Sequence, residues 1–326
     1  MLFSADPDAG RLVSVRQSNQ ICEGGADLSP YTGVFAPTTT PFDPATGDLD
    51  LESLRNNARH LVATDLAGLV LFGSTGEGVL LDDDERVAGL EAVREIAEGK
   101  LMLAGVGAES TRATVRLVRR AAEAGADAAL VPPPAYYRPQ LTVEALWGHY
   151  SAVADTSSVP VLLYQIPPVY SGVELGVGLV AELSRHPNIH GIKDSTGDLE
   201  AMQSIREACA GDFAVLVGSG AVVHGALEVG ACGAILAIAN LAPDECAEIL
   251  AAGMAGDPRR GEILQARLAP LHRAVVGRYG VPGVKTALDL IGLVGGPPRP
   301  PLLPLPAGDR DEVRAALEAA GLFAGQ

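Results

Sequence analysis

A lysine and a tyrosine at the ends of two short apolar segments carry most of the chemical information in this sequence. Lys193 ends the segment 189–193, and Tyr164 ends the segment 161–164. Because a lysine is rarely buried without a partner, Lys193 is either ion-paired, for example with Asp194, or a desolvated amine that forms a Schiff base with a ketone. Tyr164 alone is better explained as a core aromatic, but beside a Schiff-base lysine its phenol would carry protons to and from a substrate.

The segment Gly-Ser-Thr-Gly-Glu at 73–77 is a candidate anion site. Its backbone N–H groups and two hydroxyls suit a carboxylate ligand, although tight turns of this composition are common. Glu77 is predicted to be a structural hydrogen-bonding partner rather than a base. The histidines and cysteines show no metal-ligand spacing, and no phosphate-binding or dinucleotide-binding fingerprint is present, so neither a metal nor a cofactor is predicted.

Short, almost wholly apolar segments alternate with longer amphipathic ones from residue 33 onward. Such segments are typical of parallel strands buried on both faces. They lie at 34–38, 69–72, 102–105, 129–131, 161–164, 191–193, 215–218 and 234–236. Strand followed by helix, repeated eight times, predicts an α/β fold of the (β/α)8 TIM-barrel type, in which the active site lies at the carboxyl ends of the strands. An open doubly wound sheet is less favoured, because no glycine-rich turn follows the first strand.

Three regions are expected along the 326 residues. Residues 1–30 lack the apolar core of a secretory signal and are predicted to be a disordered arm or leader. Residues 31–256 would form the barrel. Residues 257–326 would form a C-terminal helical extension, with helices predicted at 259–277, 284–291 and 310–320.

Composition and charge exclude several classes of function. The chain has 24 Lys and Arg against 40 Asp and Glu, a net charge of −16 with no basic cluster, so nucleic acid is not expected as a partner. No apolar run is long enough to cross a membrane, so no membrane partner is expected either. The cysteines are expected to be free thiols in a reducing compartment, which predicts a cytoplasmic location; they are Cys22, Cys209, Cys232 and Cys246.

Taken together, these motifs resemble those of the dihydrodipicolinate synthase/N-acetylneuraminate lyase family of class I, pyruvate-dependent aldolases. The resemblance covers roughly residues 33–322 and rests on five motifs in the same order, namely Thr38-Thr39-Thr40-Pro41-Phe42, Gly-Ser-Thr-Gly-Glu at 73–77, Tyr136-Tyr137, Tyr-Gln-Ile-Pro at 164–167 and Gly-Ile-Lys-Asp-Ser at 191–195. It implies that Lys193 forms the Schiff base with the 2-oxo group of the substrate, with Tyr164 as the acid/base.

The same resemblance implies roles for further residues. Ser74 would link Tyr164 to Tyr136, a tyrosine that reaches in from a neighbouring subunit of a homotetramer built from two dimers. The substrate-binding positions would be Gly73, Ser74 and Thr75 for the carboxylate of pyruvate, Ser195 for a substrate carboxylate, and Ile235 for the wall of the pocket.

By the same resemblance, the second substrate would depend on the loop after Tyr164, which has the sequence Pro-Pro-Val-Tyr-Ser-Gly at 167–172. It lacks the arginine with which dihydrodipicolinate synthases bind the carboxylate of their aldehyde. Other stretches are more similar to 4-hydroxy-2-oxoglutarate aldolases, at 135–138, 186–195, 278–283 and 295–297, although Thr75 stands where those enzymes have Asn.

The main expectation is therefore cleavage of 4-hydroxy-2-oxoglutarate, or a close 2-oxo acid, to pyruvate and an aldehyde such as glyoxylate. The alternative is a 4-hydroxy-tetrahydrodipicolinate (dihydrodipicolinate) synthase that condenses pyruvate with aspartate semialdehyde and uses another group in place of the arginine. Less favoured are a 2-keto-3-deoxy sugar acid aldolase and a non-catalytic barrel that binds 2-oxo acids.

Overall fold

Eight parallel strands close into a barrel in the computed structural model, which describes residues 29–322. Neighbours around the barrel follow the order of the chain, and the first strand closes against the eighth. The strands are β1 (Gly33–Pro37), β2 (Gly68–Leu71), β3 (Leu101–Gly105), β4 (Ala128–Val131), β5 (Val161–Gln165), β6 (Ile189–Asp194), β7 (Ala214–Val217) and β8 (Gly233–Ile235). Each predicted strand overlaps an observed one, which confirms the (β/α)8 barrel.

Helices cover the outside of the barrel, and local sequence explains where two of them begin. At the start of the helix over 83–94 the Glu85 carboxylate accepts a hydrogen bond from the Asp82 N–H, and at the start of the helix over 111–123 the Ser110 hydroxyl accepts one from the Ala113 N–H. The helices in chain order are α1 (Leu51–Val62), α2 (Asp83–Arg94), α3 (Thr111–Glu123), α4 (Val143–Thr156), α5 (Pro168–Ser171), α6 (Val177–Leu183), α7 (Leu199–Ala208), α8 (Val223–Glu228) and α9 (Pro243–Met254). All of them cover the barrel except α5, a single turn in the loop after β5.

The apolar core has two layers, as the alternation of side chains along buried strands requires. One layer lies between strands and helices and extends under the C-terminal helices. The other fills the barrel interior, and its members include Phe35, Val70, Leu103, Leu130, Leu162, Tyr164, Leu216 and Ile235. Because Tyr164 belongs to the interior layer, its side chain points towards the barrel axis, around which the active site of such a barrel forms.

The C-terminal extension contains α10 (Pro258–Leu271), α11 (Arg278–Leu290) and α12 (Ala307–Ala319). The helix predicted at 259–277 is α-helical only to Leu271 and continues as a π-helix over His272–Gly277. The helix predicted at 284–291 begins six residues after the observed start of α11, because Gly280 and Pro282 are ordinarily helix breakers. Here Gly280 takes the kink, with φ 58°, and the chain stays helical on both sides of it.

Some predictions fall outside the described residues. The proposed arm at 1–30 lies almost wholly outside them, as does Cys22. The other three cysteines are free thiols. Within residues 29–322 no helix is both long and apolar enough to cross a bilayer.

Candidate active site

Lys193 and Tyr164 face each other across two neighbouring strands. The register of β5 against β6 pairs them directly, and residues so paired in parallel strands point to the same side of the sheet. Both side chains are buried, and the Lys193 Nζ lies 4.2 Å from the centroid of the Tyr164 ring. The barrel therefore places a primary amine against a phenol at the carboxyl ends of its strands.

Lys193 has no carboxylate partner in the described part of the chain, where no Asp or Glu oxygen lies within ion-pair distance of its Nζ. Asp194, the expected partner, is buried and turned to the other face of β6, since successive residues of a strand alternate. There its Oδ1 accepts hydrogen bonds from the Thr196 N–H at 2.8 Å and the Thr196 hydroxyl at 2.6 Å. Of the two interpretations that the sequence left open, the geometry favours an amine held free for chemistry.

The Tyr164 phenol lies in an environment that favours its ionised form. Burial raises the pKa of this phenol, but the positive charge of Lys193 and the nearby Ser74, Ser195 and Lys193 hydrogen-bonding groups together lower it below its usual value. With a lowered pKa, a larger fraction of the phenol is present near neutral pH as phenolate, the form that accepts a proton. The pair can thus both attack a carbonyl and move a proton beside it.

Ser195 stands beside both groups, near enough for its hydroxyl to stabilise the Tyr164 phenolate. Its Oγ is buried and completes no hydrogen bond of good geometry with the described residues. Gly218, just after β7, makes this arrangement possible, because a Cβ on Gly218 would collide with the Ser195 hydroxyl and lie 2.9 Å from the Lys193 Cε. An unpartnered hydroxyl next to a buried amine suits an anionic or carbonyl oxygen of a ligand.

The β2 loop, residues 73–77, lies at the same end of the barrel as the amine. Ser74 is exposed and Thr75 half-buried, and among the described residues neither backbone N–H donates a hydrogen bond. The loop is held in place by the segment after β1, where the Thr40 hydroxyl donates a hydrogen bond to the Gly76 carbonyl at 2.6 Å. Two adjacent free N–H groups on a fixed turn can bind a carboxylate.

Glu77 ends this loop in a fully buried ion pair that the sequence did not predict. Its Oε1 lies 2.5 Å from the Nζ of Lys285 in α11, and the two side chains are 0% and 1% exposed. Its Oε2 accepts a hydrogen bond from the Arg299 N–H at 2.8 Å. Glu77 is therefore a structural hydrogen-bonding partner, as expected. The only sequence signal for its own partner, Lys285, is that a lysine lies in an apolar helical segment.

The remaining predicted site residues are placed as follows. Ile235 is fully buried and shares the barrel interior with Tyr164, and Gly73 begins the β2 loop. Tyr136 is not brought to the site of its own chain: it is 76% exposed and its ring packs edge-on against Tyr137. Its backbone is held by Glu109, whose carboxylate accepts its N–H at 2.8 Å.

The β5 loop, residues 166–172, completes the rim and contains the short helix α5. Val169 and Tyr170 are 84% and 75% exposed. An arginine lies against this loop from outside it, since a Cβ on Gly172 would fall 2.9 Å from the Cδ of Arg138. Within residues 29–322 no group of three or more His, Cys, Asp or Glu side chains could hold a metal ion.

A buried amine without a carboxylate partner, a phenol and a hydroxyl without a well-aligned hydrogen bond, all at the mouth of a (β/α)8 barrel, define the class of a Schiff-base lyase. Comparison with known proteins agrees. Residues 30–320 match the model of the dihydrodipicolinate synthetase family. The chain therefore belongs to that family and is a class I, pyruvate-dependent aldolase.

Individual relatives cover nearly the whole chain. A 4-hydroxy-tetrahydrodipicolinate synthase of Rhodopseudomonas palustris is 36% identical over 90% of this chain and 98% of its own length. One from Roseobacter denitrificans is 37% identical over 90% and 99%. Among solved structures, a chloride-inhibited dihydrodipicolinate synthase of Acinetobacter baumannii complexed with pyruvate has a TM-score of 0.86 and 32% identity, over 90% of this chain and all of its own.

Proposed function

We propose that this aldolase cleaves 4-hydroxy-2-oxoglutarate, or a close 4-hydroxy-2-oxo acid, to pyruvate and glyoxylate or a similar aldehyde. The observation that carries the proposal is the Lys193–Tyr164 pair, a buried amine without a carboxylate partner against a phenol with a lowered pKa. The choice of substrate rests on the β5 loop, which has no arginine to bind the carboxylate of aspartate semialdehyde.

The reaction begins at the amine. Lys193 Nζ attacks C2 of the substrate, the C2 oxygen leaves as water, and the resulting iminium is an electron sink. Tyr164 then takes the proton of the C4 hydroxyl, the C3–C4 bond breaks, and its electron pair moves through C3 to the iminium nitrogen to give an enamine. Protonation at C3 and hydrolysis release pyruvate and regenerate the amine.

The neighbouring residues hold the substrate and carry the proton. The free N–H groups of Ser74 and Thr75 bind the C1 carboxylate, and the Ser195 hydroxyl binds a second carboxylate. Ser74 passes the proton of Tyr164 to Tyr136 of a neighbouring subunit. The exposure of Tyr136 supports that role, and with it a homotetramer. The free thiols of Cys209, Cys232 and Cys246 fit the cytoplasmic location that we propose.

A second candidate is the 4-hydroxy-tetrahydrodipicolinate synthase reaction, which condenses pyruvate with aspartate semialdehyde. Two observations favour it: the curated relatives carry that name, and Arg138 lies against the β5 loop where it could replace the missing arginine. In that case Arg138→Ala would raise KM for aspartate semialdehyde and leave the pyruvate half of the reaction unchanged.

Coupled assays decide between the two. Cleavage of 4-hydroxy-2-oxoglutarate is followed through the pyruvate released, and condensation through the consumption of aspartate semialdehyde with pyruvate. We expect kcat/KM for 4-hydroxy-2-oxoglutarate to exceed that for the condensation. A higher kcat/KM for aspartate semialdehyde would replace the first proposal by the second.

A further inference from the structure

We propose that the Lys285–Glu77 ion pair is a positioning device, through which the C-terminal helices hold the β2 loop in the shape that binds the carboxylate of pyruvate. The inference rests on the proposed function, because it concerns the loop assigned to that carboxylate. It makes Lys285 and Glu77 positioning residues that contact the loop and not the substrate.

Both oxygens of the Glu77 carboxylate are occupied by the C-terminal extension. Oε1 is 2.5 Å from the Lys285 Nζ, and Oε2 accepts the Arg299 N–H at 2.8 Å. The Lys285 Nζ also donates to the Pro297 carbonyl at 2.8 Å and lies 4.5 Å from the centre of the Phe42 ring. The last residue of the loop is thereby fixed to a segment more than two hundred positions away in the chain.

The β2 loop needs such a support because its backbone is strained. In the described part of the chain, Phe72 and Glu77 are the only residues other than glycine with a positive φ, at 58° and 54°. They bracket the turn that carries Ser74 and Thr75. Residues in this region of φ are disfavoured, and they persist only where the surrounding structure holds them there.

Stability alone does not explain a pair of this kind. Two fully buried charges lose their hydration, and an apolar pair of similar size often serves the fold as well or better. What an apolar pair cannot supply is a directional contact that fixes the end of the loop. The two charges therefore fix the geometry of the turn, and through that geometry they raise the affinity of the site for pyruvate.

The test measures pyruvate affinity separately from stability. Lys193 is trapped with borohydride over a range of pyruvate concentrations in wild type, Glu77→Gln, Lys285→Met and the double variant, each at a temperature where it is folded by circular dichroism. We expect the half-saturating pyruvate concentration to rise about tenfold in all three variants, while the melting temperature of the double variant recovers towards wild type.

A matched control breaks another contact of the same C-terminal segment. The Glu85 carboxylate accepts two hydrogen bonds at 2.6 Å from the Arg299 guanidinium, and neither touches the β2 loop. Glu85→Gln is therefore expected to leave half-saturation within about twofold of wild type.

The possible outcomes separate this inference from the proposed function. A double variant with a half-saturation within about twofold of wild type would overturn the positioning role. It would do so whether or not the single variants fold, since the double variant alone decides the matter. An absence of any adduct in the wild type would instead contradict the proposed function.

Discussion

The loops that follow β2 and β5 lie at the same end of the barrel but are built in opposite ways. The β2 loop is buried at its last residue and fixed by a buried ion pair and by a hydroxyl from the loop after β1. The β5 loop is anchored at its base, where the Gln165 side chain accepts the Leu175 N–H at 2.6 Å and donates to the Ile166 carbonyl at 2.8 Å, and it exposes Val169 and Tyr170.

This difference matches the two halves of the proposed substrate. The pyruvate half is the same in every reaction considered for this chain, and its loop is held rigidly. The aldehyde half differs between those reactions, and its loop carries exposed side chains that are free to vary without disturbing the core. Changes at the β2 side should therefore damage all chemistry, whereas changes at the β5 side should redirect it.

The largest effect is expected from removal of the Tyr164 hydroxyl. Tyr164→Phe keeps the buried ring and removes the proposed base, so kcat should fall about 10²- to 10⁴-fold in steady-state assays. Tyr150→Phe is the control, because Tyr150 is as deeply buried but its phenol only reaches the Val131 carbonyl at 3.5 Å. A Tyr164→Phe enzyme with nearly wild-type kcat would show that the phenol does not carry the proton.

A methyl group at Gly218 should have the next largest effect. It would push against the Ser195 hydroxyl and the Lys193 Cε, and a displacement near 1 Å at reacting groups costs about 10²-fold in rate. Gly148→Ala in α4 is the control, since nothing lies within 4 Å of its added Cβ. Equal kcat values for the two variants would contradict the tight placement of the amine.

An arginine placed in the β5 loop should redirect the enzyme rather than damage it. Val169→Arg supplies a carboxylate-binding group, and kcat/KM for aspartate semialdehyde should rise about tenfold while half-saturation by pyruvate is unchanged. Val79→Arg is the control, because Val79 is 85% exposed but follows the β2 loop. Equal gains from both substitutions would point to a general charge effect and remove the distinction between the loops.

The smallest effect is expected on the pKa of Tyr164, with the fold unchanged. Lys193→Met removes the cation that favours the Tyr164 phenolate and leaves burial, which opposes ionisation, so the pKa of this phenol should rise. Tyr164 would then ionise at a higher pH than in wild type, as followed by NMR of labelled tyrosine. Lys100→Met serves as the control, because the Lys100 ammonium binds the carbonyls of Thr64 and Leu66 and does not act on Tyr164. An unchanged or lower pKa in Lys193→Met would contradict the coupling of the two groups.

The sequence predicts the parts of this molecule that depend on local pattern. Short apolar segments between amphipathic ones identify the strands, and a closed parallel barrel then brings Lys193, Tyr164 and the β2 loop to one end. Glu77 is likewise expected to be structural, although its partner is not indicated.

What the sequence does not predict depends on contacts between distant positions. Lys285 meets Glu77 across 208 residues, and Gly218 matters only because two side chains from β6 and the segment after it press against it. The start of α11 is missed because Gly280 absorbs a kink that would ordinarily end a helix. These contacts arise from the packing of the folded chain, so the periodicity and the residue spacing of the sequence do not predict them.

Trapping of the covalent intermediate tests the central claim most directly. The protein is incubated with pyruvate and sodium borohydride, its intact mass is measured, and the modified peptide is mapped, with Lys193→Ala as the control. We predict one reduced pyruvate per chain, attached to Lys193, and no adduct in the folded Lys193→Ala variant. An absent adduct in wild type, or one attached to another lysine, would contradict the role of Lys193 as the Schiff-base nucleophile.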